Sequence, residues 1–172
     1  MDSDVAILHM YEGVGARCAE GHRMYKHILI TTDGSELADK GLEHGLALAK
    51  AVGADVVIVT VTDNQLPSPD EVAFNSRRGK NPLEERRAAE DAAAQATLEA
   101  AAKKAAAAGV SAKTVHIAER HPAEGIVEAA REHKADLIVM SSHGRRGVRR
   151  LMLGSQTAEV VTSTAIPVLV VR

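Results

Sequence analysis

The chain has 172 residues, 45% of them hydrophobic, and a formal net charge of −2; this suffices for one domain with its own core and gives no global attraction to nucleic acid or an anionic membrane. Aromatic content is 2%, Tyr11, Tyr25 and Phe74 being the whole set, so the core must be aliphatic and the stacking platforms of single-strand nucleic-acid binders are not to be expected. The lone Cys18 excludes an internal disulfide framework and argues against a structural zinc site, no apolar run approaches the roughly 18 residues of a membrane span, and an intracellular, cytoplasmic location is the simplest expectation.

Residues 1–23 mix Gly, acids, His and Cys18 without sustained periodicity, and lack the basic head and apolar stretch of a signal peptide. They read as a flexible N-terminal extension, or as sequence upstream of a true start at Met24; a short arm with its own function is the other reading. The folded pattern begins at Met24. Lys26–Thr32 predicts a buried strand, Asp33-Gly34-Ser35 a turn, and Ser35 can cap a helix over about 36–51 whose apolar residues are Leu37, Leu42, Leu46, Leu48 and Ala49, with Gly53 as its stop. Asp55–Val61 is a β-branched run of the kind buried on both faces in a parallel sheet.

The polar segment from Asp63 to Pro82 holds three of the five prolines and is the one long connection. An alanine-rich helix follows over Leu83–Ala108, closed by Gly109; Val110–Ala118 is a weaker strand, and His121-Pro122 opens a helix running to about His133. Asp136–Met140 is a further apolar strand, about 155–164 a last helix, and Ile166–Val171 a terminal strand. The order β-α-β-α-β-α-β-α-β predicts an α/β fold: an open, doubly wound, five-stranded parallel sheet with helices on both faces. No domain boundary is expected within 24–172.

In such a sheet ligands bind beyond the carboxyl ends of the strands, where the strand order reverses. Strand one ends in Thr31-Thr32-Asp33; strand four ends in Ser141-Ser142-His143-Gly144, followed by Arg145-Arg146-Gly147 and then Gly154-Ser155 at a helix start. Glycine lets backbone N–H groups approach phosphate oxygens, and a helix N-terminus adds unpaired donors and partial positive charge. If these two strand ends are neighbours, a carboxylate and an anion-binding loop face one crevice, a combination that suits a nucleotide. Neither a P-loop lysine motif nor a Gly-x-Gly-x-x-Gly after strand one is present. Arg145, Arg146, Arg149 and Arg150 read partly as a solvated cluster, with one of the first two approaching a phosphate. His143 reads as a turn residue, and His121 and His133 as residues at the ends of one helix.

The runs Tyr25–Ser35, Val139–Gly147, Leu153-Gly154-Ser155 and Ile166–Val171 together resemble the universal stress protein family, in its element order, over about 24–172. Its ATP-binding subgroup carries Gly-x-x-Gly, nine residues, then Gly followed by Ser or Thr. Gly144, the nine residues Arg145–Leu153 and Gly154-Ser155 fit this pattern, whereas Ser141 stands where the first glycine falls. A serine retains its backbone N–H and adds a hydroxyl, but its Cβ would crowd a loop that needs positive φ. The resemblance implies an adenine nucleotide alpha hydrolase-like fold and ATP as cofactor, with Mg²⁺ or Mn²⁺. It implies Asp33 at the ribose with Thr32 beside it, the Val61 backbone at adenine, and Met140 lining the pocket. Ser141, Gly144 and Arg145 would lie at the phosphates, with helix-start donors from Gly154, Ser155 and Gln156. It also implies a homodimer through Ile166–Val171, with no nucleic-acid or membrane partner and no catalytic residue or protein-held metal. The function implied is regulatory, through nucleotide-dependent dimer or partner interactions. The alternatives are a slow ATPase, for which no general base is evident, and the same fold acting as an interaction protein or binding another adenine nucleotide such as cyclic AMP.

Overall fold

A computed structural model describes residues 24–63, 81–142 and 154–172, together with positions 70, 72 and 74. The extension 1–23, most of the long connection, and Gly144, Arg145 and the rest of 143–153 lie outside the described residues. The elements are β1 (His27–Thr31), α1 (Glu36–Val52), β2 (Asp55–Val61), α2 (Pro82–Ala107), β3 (Ala112–Ile117), α3 (Pro122–Glu132), β4 (Leu137–Ser141), α4 (Ser155–Ser163) and β5 (Val168–Val171). All pairings are parallel and the strand order is β3-β2-β1-β4-β5. The order reverses between β1 and β4, whose register pairs Ile28 with Leu137 and Ile30 with Val139.

Right-handed crossovers in this order place α1 and α2 on one face of the sheet and α3 and α4 on the other. Two aliphatic clusters follow from the alternation along the strands. Ile28, Ile30, Ile58, Leu137 and Val139 pack under Leu42, Leu46 and Leu98 of α1 and α2. Leu29, Val59, Ile138 and Met140 pack against Ile126, Val127 and Val160 of α3 and α4.

Two strand starts and one helix face differ from the expectations, each for a local reason. β4 begins at Leu137 because Asp136 serves the sheet edge: its carboxylate accepts the backbone N–H of Lys26 at 2.8 Å and of His27 at 3.1 Å. β5 begins at Val168 because Pro167 has no N–H to give, although its carbonyl still accepts from Ile138 N at 2.9 Å. On α1, Leu37 and Leu48 are only half-buried, and the contact face includes Gly41 and Gly45. A Cβ at Gly45 would lie 2.6 Å from Ile30 Cδ1, and one at Gly41 3.4 Å from Ser141 N. The two glycines bring α1 down onto β1 and β4, directly beneath the strand ends that carry the candidate residues.

Candidate functional site

β1 and β4 are the neighbours on either side of the reversal, so Thr32-Asp33 and Ser141-Ser142 stand side by side at the carboxyl edge. Thr32 is buried and donates its N–H to Val59 O at 2.9 Å, which continues the β1–β2 ladder one residue past the strand. Its Oγ1 accepts from Gly34 N at 3.2 Å, and Asp33 Oδ1 accepts from Ser35 N at 3.0 Å. Gly34 takes φ 75°, and Ser35 Oγ caps Ala38 N at 3.2 Å. These nested turns make the first turn of α1 and the pose of Asp33 one unit. The Asp33 carboxyl, half-buried, is therefore held at the rim.

Ser141 is the last residue of β4, buried at 8% exposure. The positive-φ non-glycine residues among those described are Glu119 and Lys134, so Ser141 sits in extended backbone where its Cβ is not strained. Gly41 of α1 approaches its backbone, a Cβ there standing 3.4 Å from Ser141 N. Met140, at 4% exposure, belongs to the α3–α4 core. Val61 ends β2 with its side chain toward α3: a Cβ at Gly125 would meet Val61 Cγ1 at 3.0 Å.

A groove of about 300 Å³ opens beside Thr32 and Gly34 and runs between α1 and α2 over Ala96, Thr97 and Ala100. The Asp39–Lys104 ion pair, at 2.9 Å, lines it as well. The groove exists because alanines on α2 face α1 and leave the inter-helix space unfilled.

The start of α4 is anchored twice. Gly154, not Ser155, occupies the cap position, and its N–H donates to Ser142 O at 2.9 Å. Thr157, 3% exposed, donates Oγ–H toward Ser141 O (3.0 Å) and Ser142 O (3.2 Å), riveting the first helical turn to the end of β4. The Gln156 side chain turns away toward α3, where its Oε1 accepts from Ala123 N at 3.1 Å. The placement of Thr157 was missed in the sequence, where a threonine three residues after a helix-opening glycine is the only signal.

The structure therefore brings together Thr32, Asp33, Ser141, Gly154 and Ser155 around one edge, with Val61 on the adjoining strand end. Gly144 and Arg145, outside the described residues, belong to the segment that joins β4 to α4 there. Chemically the edge offers a carboxylate, hydroxyls and a helix N-terminus, the complement of a polyol linked to an anion. Among the described residues no group of three or more His, Cys, Asp or Glu is placed to hold a metal. No described helix is long and apolar enough to cross a membrane.

The geometry has counterparts among known proteins. The chain is 36% identical over 156 residues to a universal stress protein of Methanocaldococcus jannaschii, the match covering 88% of this chain and 85% of the relative. The solved structure of universal stress protein UspA from Lactobacillus plantarum matches with a TM-score of 0.71 at 26% identity, over 86% of this chain and 98% of that one. A universal stress protein crystallised in complex with cAMP matches with a TM-score of 0.60, also at 26% identity, over 86% and 97%. The family model for the universal stress protein family spans residues 24–172, and the chain belongs to that family.

Proposed function

We propose that this protein binds an adenine nucleotide, ATP with Mg²⁺ or Mn²⁺, across the carboxyl edge between β1 and β4, and acts as a regulatory homodimer. The observation that carries the reading is the juxtaposition of the Asp33 turn with the α4 N-terminus across the strand reversal. In this pose Asp33 takes the ribose hydroxyls. Backbone N–H groups of Ser155 and Gln156 in the first turn of α4, with the Ser155 hydroxyl, take the phosphates beside Ser141, Gly144 and Arg145, while the Gly154 N–H, held by Ser142 O, fixes where that turn begins. The base lies toward Val61 and the α1–α2 groove, a space sized for a nucleoside. The relative in complex with cAMP supports the ligand class. Extended backbone at Ser141 means that its Cβ carries no strain there, which is compatible with the site in spite of the missing glycine.

The edge strand β5, whose Leu169 is 38% exposed beside the half-buried Val168 and Val170, supports the dimer reading. An apolar edge of this kind is a pairing surface. Mass spectrometry of small molecules released on denaturing the freshly purified protein tests the ligand class directly. An adenine nucleotide near one per chain is the expected result; a different ligand class at that stoichiometry contradicts the reading.

A further inference from the structure

α3 begins without a cap of its own. Its cap position is His121, whose side chain makes no capping bond, and Pro122 follows. The first N–H that needs a partner is that of Ala123, and Gln156, 33 residues on, supplies it through Oε1 at 3.1 Å. Because Ala123 N can only donate, the atom facing it must be the amide oxygen, which leaves Nε2 of Gln156 directed elsewhere. That nitrogen lies 3.5 Å from His121 Nε2. An amide NH₂ only donates, so His121 Nε2 must accept and the imidazole proton must sit on Nδ1. Nδ1 is buried, has no hydrogen-bond partner among the described residues, and lies 3.5 Å from Glu159 Oε1 on α4. The carboxylate favours a proton there, so each neighbour of the ring selects the same tautomer.

We infer that His121 and Gln156 form a cross-helix clamp that positions the α4 N-terminus for the phosphates, His121 being a positioning residue that touches no ligand. The inference rests on the nucleotide reading above. Thr157 fixes α4 to β4; the clamp fixes the opposite side of the same turn to α3 and so sets the tilt of the N–H groups of Ser155 and Gln156. α3 depends on α4 for its cap, and α4 depends on α3 for its orientation.

The decisive variant is His121→Ser, because a serine at the cap position accepts from its own helix and makes Gln156 dispensable to α3. Thermal stability is expected to hold or rise while affinity for Mg-ATP, by titration calorimetry, falls about five- to tenfold, the effect of one lost positioning bond. Gln156→Met is expected to weaken Mg-ATP binding similarly, with lower stability. Equal affinity in His121→Ser and the parent overturns the inference. Two measurements on the ligand-free protein keep it separable from the nucleotide reading. Side-chain ¹⁵N shifts of His121 should report the Nδ1–H tautomer; the Nε2–H tautomer overturns the clamp. Amide exchange at Ala158, whose N–H closes the first turn of α4 on Gly154 O at 2.9 Å, should quicken in both variants, and unchanged exchange overturns it. A parent protein that binds no ATP sinks the nucleotide reading alone, and these ligand-free results then decide the clamp.

Discussion

In the proposed site Asp33 carries two tasks with one carboxyl. One oxygen holds Ser35 N, and the turn it organises presents the group at the rim. Asp33→Ala therefore removes both the ribose contact and the restraint on the turn; affinity for Mg-ATP should fall at least tenfold by calorimetry, the scale of a lost charge-assisted hydrogen bond. The Asp33 turn was legible in the sequence because Asp-Gly-Ser after an apolar run is turn and helix-cap chemistry; its role toward a ligand comes from the family resemblance. Gly45 was not singled out, although a helix bearing glycines at 41 and 45 was there to read: each costs about 1 kcal/mol of helix propensity, which implies a packing reason. Gly45→Ala regains that propensity but drives a Cβ to 2.6 Å from Ile30 Cδ1, with both Ile30 and Val139 fully buried. Overpacking of this kind costs about 1–3 kcal/mol, so a net loss of stability is expected in urea unfolding.

At the scale of elements, α4 shows how a short helix acquires a defined pose. Nine residues give little intrinsic stability, and the helix is instead set by Thr157 on β4 and by Gln156 on α3. Thr157→Val keeps the shape but removes the donor from two buried strand-end carbonyls. Stability should fall by about 1–3 kcal/mol, read by thermal or denaturant unfolding, and Mg-ATP binding should weaken with it. The strands and helices were legible because their periodicities differ, and the clean run Asp55–Val61 matches the observed β2. The clamp between α3 and α4 was not, since nothing in a linear pattern links His121 to Gln156. Helix ends looked ordinary there, and only the fold revealed that one cap is borrowed. The start of α4 at Ser155 was legible, but its cap was not: the helix uses Gly154, with a backbone bond to Ser142 O in place of a side-chain cap.

For the whole molecule, the topology gathers the candidate site on one edge: the strand reversal, the Asp33 turn, the α1–α2 groove and the α4 N-terminus all meet there. The opposite edge is closed by bonds such as those the Asp136 carboxylate accepts from the backbone N–H groups of Lys26 and His27. The outer side of β5 points laterally, so the proposed dimer interface and the proposed ligand site are separate surfaces joined through β4. Leu169→Lys places a charge on the edge strand and should convert the proposed dimer to a monomer by sedimentation, with the fold retained by circular dichroism. A parent chain that is already monomeric contradicts the dimer. The central claim, that this edge is a nucleotide site, is tested most directly by titrating the purified, ligand-free protein with Mg-ATP in a calorimeter. Saturable binding near one molecule per chain, weakened at least tenfold by Asp33→Ala, is the predicted result; no binding up to millimolar ATP, or binding indifferent to Asp33, would contradict it.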